Sequence, residues 1–388
     1  MKKIAIFGST GSIGSTLLNI IKKDKKTFNV KLLTADKNYK KIIKQAKFFN
    51  VKNIIVTNKN SFLITKNLLK NTKIKVYKNF DTLNKIFNIN KKIDYTMCAI
   101  SGFQGLKPTL NIIKYTKTIA IANKESIICG WNLIKKDLKK HRTKFIPVDS
   151  EHFSIWSLIR NEKKNSFEKI YITASGGPFR KFSLKKFKNI SINDALKHPN
   201  WSMGKKISID SATMMNKVFE IIEAKKIFNL NFNQLEILVH PKSYLHAIVK
   251  FDNGLSKLLV HDTNMTIPIF NSIYDNSEKK IISKKINIKI LNNLNLKKVD
   301  YIRFPVVKIL KKFSENDSLF ETIVVSANDK LVNLFLNNKI KFIDISIILL
   351  KICSLKEFNK FKLIVPKNID EINDLADYVS LKIDSLGI

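Results

Sequence analysis

Short apolar runs alternate with amphipathic stretches along about the first 150 residues of the chain. The apolar runs predict strands at 2–7, 30–34, 53–56, 95–100, 118–122 and 145–148. The amphipathic stretches between them, of which 13–22 and 39–49 are the clearest, predict helices. Strands that alternate with helices are typical of a doubly wound parallel sheet. We therefore predict an N-terminal α/β domain over residues 1–147.

The pattern changes after residue 147. Apolar alternation predicts strands at 169–173, 235–239, 247–251 and 256–260, with a hairpin turn at Asp252-Asn-Gly254 between the last two. Helical periodicity covers 151–160 and 211–228, the second as one long amphipathic helix. This mixture predicts a central α+β domain with a mainly antiparallel sheet over 148–275.

The remainder of the chain divides into a polar stretch and a helical one. Residues 276–300 are rich in Lys and Asn and are predicted to be a linker. Beyond them only helical periodicity is present, at 306–313, 319–336, 342–353 and 369–385. A C-terminal helical bundle over 301–388 is the predicted outcome.

The composition limits the possible partners. The 388 residues carry a formal net charge of +39, almost all of it from Lys, because Arg stands only at Arg142, Arg160, Arg180 and Arg303. Proteins that read bases and phosphates favour Arg for its bidentate fork, and here the lysines are spread along the whole chain. We therefore predict a solvated lysine coat and no nucleic-acid partner.

Two further features of the composition bear on location. No apolar stretch is long enough to span a bilayer, so no membrane association is predicted. Cys98, Cys129 and Cys353 lie far apart, which argues for a reducing compartment and against a disulfide framework. The predicted location is the cytoplasm.

The first predicted strand runs into Gly8-Ser-Thr-Gly-Ser-Ile-Gly14 and then into a helix. Glycines at this spacing permit a tight turn and let a pyrophosphate approach the N–H groups of a helix N-terminus. The hydroxyls of Ser9, Thr10 and Ser12 add possible phosphate donors. The pattern is G-x-x-G-x-x-G rather than the standard G-x-G-x-x-G, but its position at the first strand–helix junction favours a Rossmann-like dinucleotide site.

The end of the second strand is expected to meet the adenosine ribose of such a cofactor, and there the chain has Asp36, Lys37 and Asn38. An acid at this point holds the ribose 2′-hydroxyl of NAD, whereas a base accommodates the 2′-phosphate of NADP. Asp36 and Lys37 therefore point to different cofactors, and the residues alone leave both possible.

A short acidic motif, Asp149-Ser150-Glu151, follows the last strand of the first domain. In extended backbone its two carboxylates point to the same side. Carboxylates so arranged suit a hard cation such as Mg²⁺ or Mn²⁺. The alternative is a polar turn in which Asp149 caps the next helix.

The predicted helix at 211–228 adds a third carboxylate and groups that bind anions. If Ser211 caps this helix, its hydroxyl lies where free N–H groups attract a phosphate. Asn216 and Glu220 share a helix face, with Lys217 adjacent, so Lys217 and Asn216 are predicted to hold a phosphate and Glu220 a metal. Glu223 is a rival ligand, and its other interpretation is a solvent-side pair with Lys226.

Two loops complete the set of candidates. Ala174-Ser-Gly-Gly-Pro-Phe-Arg180 places the hydroxyl of Ser175 in a glycine turn, which suits a phosphate contact or is an ordinary turn. His198-Pro-Asn-Trp-Ser-Met-Gly204 suits a mobile flap that excludes water, or is a packed surface loop.

Together these features indicate a metal-dependent oxidoreductase that acts on a phosphorylated hydroxy-carbonyl compound. Two other functions stay open at this point. One is a dehydrogenase of the same plan that needs no metal. The other is a basic nucleic-acid-binding protein, against which the dispersed lysines already count.

The chain resembles the 1-deoxy-D-xylulose 5-phosphate reductoisomerases over essentially its whole length. Seven segments carry the resemblance: the glycine loop, Ala122-Asn-Lys-Glu125, Val148-Asp-Ser-Glu-His152, 174–180, 198–204, Ile209-Asp-Ser-Ala-Thr-Met-Met-Asn-Lys217 and Val239-His-Pro-Lys-Ser243. The resemblance implies reduction and isomerisation of 1-deoxy-D-xylulose 5-phosphate to 2-C-methyl-D-erythritol 4-phosphate. It also implies NADPH, one Mg²⁺ or Mn²⁺, and a homodimer.

The resemblance also assigns roles to residues. The implied residues of the reaction centre are Lys124, Asp149, Glu151, His198 and Glu220, and the implied metal ligands are Asp149, Glu151 and Glu220. The implied substrate contacts are Ser150, Glu151, Ser175, His198, Trp201, Ser211, Asn216, Lys217 and Glu220. The implied cofactor contacts are Gly8, Ser9, Thr10, Gly11, Ser12, Ile13, Lys37, Asn38, Ala122, Asn123, Lys124, Glu125 and Gly204.

The chain departs from the family pattern at three places. Asp36 stands where the family commonly has glycine, beside the phosphate of NADP. The segment 326–330 has Ser-Ala-Asn-Asp-Lys in place of Asn-Ala-Ala-Asn-Glu, and 261–268 keeps only the outline of its family segment. We expect the first to affect the cofactor and the other two to affect packing and the dimer interface.

Overall fold

The computed structural model describes residues 1–162, 167–275 and 278–387. Residues 276 and 277 of the predicted linker and the terminal residue 388 lie outside the described residues. The chain forms two compact units. The first unit comprises Met1–Ile127, Asn132–Asp149 and Met265–Ile281, and the second unit comprises Ile128–Trp131, Ser150–Asn264 and Ile282–Ile388.

The first unit contains a seven-stranded parallel sheet. Its strands are β1 (Lys2–Phe7), β2 (Phe28–Ala35), β3 (Asn53–Val56), β4 (Lys75–Tyr77), β5 (Ile93–Cys98), β6 (Thr116–Ile121) and β7 (Lys144–Pro147). Their order across the sheet is β4-β3-β2-β1-β5-β6-β7. The direction of winding reverses between β1 and β5, and ligands of doubly wound sheets bind beyond the carboxyl ends of the strands at such a point.

Helices connect these strands. They are α1 (Ser12–Lys23), α2 (Tyr39–Phe48), α3 (Lys59–Leu68), α4 (Leu83–Ile86), α5 (Leu106–Ile113) and α6 (Lys124–Lys140). The buried faces of α1 and α2 pack on a core that includes Ile4, Ile6 and Leu33. A later helix of the chain, α11 (Thr266–Ile273), also joins this unit, where the Tyr95 hydroxyl lies 2.8 Å from that of Ser272.

The second unit is built on a mixed five-stranded sheet. Its strands are β8 (Phe167–Ala174), β9 (Leu235–Val239), β10 (Leu245–Phe251), β11 (Ser256–Val260) and β12 (Lys297–Lys298), in the order β11-β10-β8-β9-β12. β8 and β9 are parallel and the other neighbours are antiparallel. The hairpin between β10 and β11 turns at Gly254, whose φ of 84° suits glycine, as predicted.

Helices cover this sheet and form the C-terminal part. They are α7 (Ser150–Ile159), α8 (Ile192–Leu196), α9 (Lys205–Thr213), α10 (Met215–Phe228), α12 (Ile288–Leu291), α13 (Phe320–Leu336), α14 (Phe342–Ile352) and α15 (Ile369–Asp384). The predicted helix at 306–313 is a 3₁₀ helix, Pro305–Lys312. α13 packs against both α14 and α15, which forms the helical C-terminal part. The predicted fold class, with a Rossmann-like sheet, an α+β part and a helical C-terminal part, is confirmed.

The stretch predicted to be a linker contains α12 and β12, and β12 pairs with β9 in the second sheet. A predicted helix is also wrong. The structure has two helices, α9 and α10, in place of the single helix predicted at 211–228. Met214 separates them with a φ of 70°, a left-handed conformation that a side chain of this size rarely adopts. The residue is 2% exposed, so tertiary packing holds a backbone conformation that the helical periodicity did not reveal.

No helix in the described part of the chain combines the length and hydropathy of a membrane span. The predicted functional division of the chain into domains stays a prediction.

Candidate active site

Three carboxylates converge at the start of α7. Asp149 directly precedes this helix, Glu151 lies in its first turn, and Glu220 projects from α10. One carboxylate oxygen from each lies within 4.8 Å of the others. Glu220 is only 1% exposed, which is costly for an anion that has no compensating positive charge. The group therefore has the chemistry of a site for a hard divalent cation.

Lysine ammonium groups compensate these carboxylates. Lys217 Nζ lies 2.8 Å from Glu151 Oε1 and also donates to Glu220, and Lys124 Nζ lies 2.6 Å from Asp149 Oδ2. Burial alone would lower the pKa of Lys217, but the charges of Glu151 and Glu220 outweigh it and hold that pKa above its ordinary value. The Lys217 ammonium thus supplies positive charge to the buried carboxylate of Glu220 and to the half-buried carboxylate of Glu151.

The helix break at Met214 explains how α10 presents its polar face. Since α10 begins at Met215, Asn216, Lys217 and Glu220 occupy its first turns on one side. Asn216 Nδ2 donates to Glu220 Oε1 at 2.5 Å, which fixes the carboxylate. The predicted sharing of a face by Asn216 and Glu220 is confirmed.

Ser211 does not cap this helix, so that prediction is wrong. It lies in the last turns of α9, where the helix presents carbonyl groups rather than free N–H groups. It is nevertheless close to the glycine turn at 174–180, because a Cβ on Gly177 would lie 2.9 Å from the carbonyl oxygen of Ser211. Only glycine permits this approach, and it brings the segments of Ser175 and Ser211 together.

Ser175 and His198 form a hydrogen-bonded pair. His198 Nδ1 accepts from the backbone N–H groups of Asn200 and Trp201, at 3.2 and 3.0 Å. The proton of the neutral ring therefore sits on Nε2, which lies 3.0 Å from Ser175 Oγ. Burial, and then the charge of Lys217, lower the pKa of His198 to about 4, so the ring is neutral at physiological pH.

The hydroxyl of Ser175 is consequently left with a proton to donate. Its oxygen accepts from the N–H of Gly177 at 3.0 Å and from His198 Nε2. A hydroxyl that accepts twice can still donate once. Ser175 is therefore prepared to donate to an anion such as a phosphate.

The segment 198–204, predicted to be a flap or a packed surface loop, is held by Asn200 and Trp201 as well as by His198. Asn200 Nδ2 donates to the carbonyl oxygen of Pro241 at 2.8 Å and to the Ser243 hydroxyl at 2.9 Å. The half-buried ring of Trp201 meets His246 edge-on at 6.2 Å. At the other end of this segment, no atom lies within 4 Å of the position that a Cβ on Gly204 would take.

In the first unit the glycine loop is tightly folded. Gly8 has a φ of 75°, and a Cβ there would lie 2.4 Å from the carbonyl oxygen of Ala99. A Cβ on Gly14 would lie 2.5 Å from the carbonyl oxygen of Gly8, so this glycine brings α1 against the loop. Both features fit a loop that receives a pyrophosphate with its backbone.

Ser9 faces into the fold, so the prediction that its hydroxyl binds phosphate is wrong. It is 0% exposed, and its hydroxyl lies 2.9 Å from Gln45 Oε1 of α2. Thr10 and Ser12 remain at the surface of the loop as hydroxyl donors.

The segment 122–125 closes the same end of the sheet. Asn123 caps α6 by accepting from the N–H of Ser126, and its amide donates to the carbonyl oxygen of Gly102 at 2.9 Å and to Glu125 Oε2 at 3.1 Å. Asn123 is 2% exposed and Glu125 is 7% exposed. These two side chains therefore brace the loops beyond the strands, and Lys124 between them reaches Asp149.

Models of one protein family match most of the chain. The model described as 1-deoxy-D-xylulose 5-phosphate reductoisomerase matches residues 4–130. Its C-terminal domain model matches 145–228, and a model described as DXP reductoisomerase C-terminal domain matches 261–381.

Known members resemble the chain from end to end. The protein of this name from Pelagibacter ubique is 79% identical over 388 residues, which is 100% of each chain. That from Clostridium novyi is 37% identical over 380 residues, 97% of this chain and 96% of the relative. The chain belongs to the 1-deoxy-D-xylulose 5-phosphate reductoisomerase family.

Solved structures of reductoisomerases share the fold. One from Zymomonas mobilis, in complex with NADPH, has a TM-score of 0.87 at 30% identity and covers 99% of this chain and 98% of its own. Another, in complex with NADPH, fosmidomycin and magnesium, has a TM-score of 0.90 at 28% identity with the same coverage.

Glu223, the rival ligand on α10, is not part of the group formed by Asp149, Glu151 and Glu220. It is 1% exposed, and its Oε2 lies 3.9 Å from His152 Nδ1. Lys226 pairs instead with Asp317 and with Glu321, at 3.1 Å from the latter. The alternative of a solvent-side Glu223–Lys226 pair is therefore wrong, because both residues are buried.

The sequence alone did not single out two histidines near the flap. The rings of His246 and His261 stack at a centroid distance of 3.7 Å, and both are buried. His261 lies in the segment 261–268 that departs from the family pattern. Two features of the sequence could have drawn attention to His261: that departure, and its place directly after a predicted strand.

Proposed function

We propose that this protein converts 1-deoxy-D-xylulose 5-phosphate to 2-C-methyl-D-erythritol 4-phosphate, using NADPH and Mg²⁺ or Mn²⁺. The observation that carries the proposal is the group of Asp149, Glu151 and Glu220, whose carboxylate oxygens lie within 4.8 Å of one another in a chain of this family. A dehydrogenase that needs no metal has no use for three converging carboxylates.

The donor set fits a divalent cation. Asp149, Glu151 and Glu220 would hold it, and each offers the oxygen that Mg²⁺ and Mn²⁺ prefer. Asn216 Oδ1, beside Glu220, is buried and has no hydrogen-bond partner in the described part of the chain, so an acceptor remains for a ligand. When bound, the ion supplies Lewis-acid polarisation of the substrate carbonyl.

Lys217 has two tasks in this proposal. Without a cation its ammonium neutralises Glu151 and Glu220. A cation held by these carboxylates would supply the positive charge in place of Lys217, whose ammonium would then be available to the substrate phosphate. Lys217 and Asn216 then act on the phosphate, as the sequence predicts.

Ser175, Ser211 and His198 complete the proposed phosphate contacts. Ser175 donates its free proton, and the neutral Nε2–H of His198 holds the Ser175 oxygen in place. Binding energy from the phosphate, which does not react, is then used to orient the reacting carbons. Trp201 is proposed to cover the bound substrate and exclude water.

The glycine loop fits NADPH. The Gly8 turn and the close approach of Gly14 leave the N–H groups of the α1 N-terminus for the pyrophosphate. Thr10, Gly11, Ser12, Ile13, Lys37, Asn38 and Gly204 are the other proposed cofactor contacts, with 122–125 lining the cleft. Lys124, 2.6 Å from Asp149, is proposed to hold this carboxylate and to assist proton movement at the reaction centre.

A homodimer and a cytoplasmic location are further parts of the proposal. They rest on family membership and on the reducing compartment that three buried cysteines suggest. Sedimentation of the purified protein tests the dimer.

The decisive experiment follows NADPH absorbance with purified protein, 1-deoxy-D-xylulose 5-phosphate and Mg²⁺. Oxidation that needs the substrate, stops with chelator and returns with added Mg²⁺ or Mn²⁺ supports the proposal. Oxidation that persists in excess chelator contradicts the role of the metal. Absence of oxidation with either metal contradicts the substrate assignment.

A further inference from the structure

Asp36 is the acid that conflicts with NADPH, and the structure shows where its carboxylate points. Asp36 Oδ1 accepts a hydrogen bond from Thr57 Oγ1 at 2.9 Å. Thr57 directly follows β3, and its N–H donates to the carbonyl oxygen of Ala35 at 3.1 Å. β3 lies on one side of β2 and β1 on the other. The carboxylate is therefore held toward β3, away from the glycine loop that follows β1.

A cation lies on the opposite side of β2. Lys41 is in the first turn of α2, and its Nζ donates to the carbonyl oxygen of Thr10 in the glycine loop at 2.8 Å. One turn further along α2, Gln45 exchanges two hydrogen bonds with Ser9, at 2.9 and 3.0 Å. α2 thus holds the loop through two side chains at a spacing of four residues.

The position of the Lys41 ammonium suits one group of the cofactor. In a doubly wound sheet the pyrophosphate lies on the glycine loop, and the adenosine ribose lies at the end of the second strand. Lys41 lies between these two sites, because its backbone is in the helix after β2 and its ammonium contacts the loop after β1. An ammonium has three N–H groups, so the bond to Thr10 leaves donors for an anion.

We propose that Lys41 and Thr57 set the preference of this protein for NADPH. Lys41 binds the 2′-phosphate, beside the predicted contact Lys37. Thr57 holds the carboxylate of Asp36 away from that phosphate and so removes the repulsion expected from the acid. The inference rests on the proposed function for the identity of the cofactor, but it concerns binding and not turnover.

The first test measures dissociation constants for NADPH and for NADH from the fluorescence of the reduced nicotinamide, without substrate. Lys41→Gln is expected to weaken NADPH binding about tenfold, the loss of one charge-assisted hydrogen bond, and NADH binding less than about twofold. Lys47→Gln makes the same change of charge in the last turn of α2, at an exposed position, and is expected to alter neither constant by more than about twofold.

The ratio of the two constants separates the proposal from a purely structural role. If Lys41 only holds Thr10 and the loop, Lys41→Gln weakens NADPH and NADH equally, and the proposal is overturned. Circular dichroism of each variant shows whether the fold is retained.

The second test releases Asp36. Thr57→Val removes the hydroxyl but keeps the shape, and is expected to weaken NADPH binding about fivefold through the freed carboxylate. The double variant Thr57→Val, Asp36→Asn is expected to recover the affinity for NADPH. An unchanged ratio of constants in Thr57→Val, or no recovery in the double variant, overturns the role of Thr57.

Failure of this inference is distinct from failure of the proposed function. A protein that prefers NADPH in binding but does not oxidise it with the proposed substrate leaves the inference standing. A protein that turns over the substrate but binds NADPH no more tightly than NADH overturns the inference alone.

Discussion

The proposed metal site and the glycine loop of residues 8–14 differ in the chemical groups that they offer to a ligand. The site of Asp149, Glu151 and Glu220 consists of charged side chains, and both Glu220 and its partner Lys217 are almost fully buried. The glycine loop offers backbone N–H groups. The charged side chains around it, Asp36, Lys37 and Lys41, are exposed. A buried charge requires a partner within hydrogen-bond distance, whereas an exposed charge does not.

This difference has a consequence for mutation. Loss of a buried charge leaves its partner uncompensated and should have a large effect. Loss of an exposed charge should change the discrimination between two cofactors by a modest factor. The following predictions test this contrast, in order of decreasing effect.

Glu220→Gln should reduce turnover by roughly a thousandfold or more, because it removes the charge of one of the three carboxylates proposed to hold the cation. Steady-state NADPH oxidation at saturating Mg²⁺ measures the loss. Glu223→Gln changes a buried glutamate three residues further along α10, and should retain far more activity because Glu223 is outside the group. Equal losses in the two variants would remove the distinction between the two glutamates, and normal turnover in Glu220→Gln would refute the metal assignment.

Lys217→Met should destabilise the metal-free protein by about 3–5 kcal/mol, since it leaves Glu151 and Glu220 without their ammonium partner. Urea denaturation with and without Mg²⁺ measures the effect, and Mg²⁺ should restore part of the lost stability. Lys205→Met, at an exposed position of the same unit, is the control and should change stability little. A metal-free Lys217→Met protein as stable as the wild type would show that the ion pairs contribute nothing.

Trp201→Ala should raise the KM for the substrate about tenfold, because the flap loses its aromatic cover over the site. Trp201→Phe keeps an aromatic ring and should lose much less. If both variants keep the wild-type KM, the segment 198–204 is a packed surface loop and not a flap.

His198 should titrate with a pKa near 4 in the metal-free protein, well below its ordinary value of 6.5. Histidine NMR resonances followed with pH, and assigned with a His198→Gln variant, measure this pKa. Because the unfolded chain binds more protons than the native protein between pH 4 and 6.5, the contribution of His198 to stability should decline as the pH falls through this window. A pKa near 6.5 would contradict the neutral Nε2–H tautomer that holds Ser175.

The same contrast explains what the sequence could predict. Asp149 and Glu151 were visible as two acids that directly follow an apolar run, and Glu220 was visible as a helix-face neighbour of Asn216. The extended backbone expected at 149–151 is wrong, because residues from Ser150 onward form α7. Six of the seven strands of the first unit were visible because they contain apolar runs. The strand β4 was missed, because its three residues include an exposed lysine and no buried position.

The break at Met214 could not be predicted from local pattern. Neither glycine nor proline marks it, and the left-handed backbone depends on the packing of a side chain that is 2% exposed. The helix was therefore predicted as continuous, and Ser211 was placed at a cap that does not exist.

The sequence also could not show which cofactor is favoured when Asp36 and Lys37 indicate different ones. The proposed resolution depends on Thr57, which is 21 residues from Asp36 and contacts it because β3 pairs with β2. Ser9 was misplaced for a related reason, because its partner Gln45 lies on a helix 36 residues away. A polar side chain has several possible directions, and tertiary contacts determine which of them it takes.

The most direct measurement compares a substitution in the proposed metal site with a substitution beside the glycine loop. NADPH dissociation constants and Mg²⁺-dependent turnover would be determined for the wild type, Glu220→Gln and Lys41→Gln. We predict that Glu220→Gln abolishes turnover while NADPH binding stays within about twofold of the wild type, and that Lys41→Gln weakens NADPH about tenfold while turnover at saturating NADPH persists. Loss of NADPH binding in Glu220→Gln, or turnover unaffected by that substitution, would contradict the account.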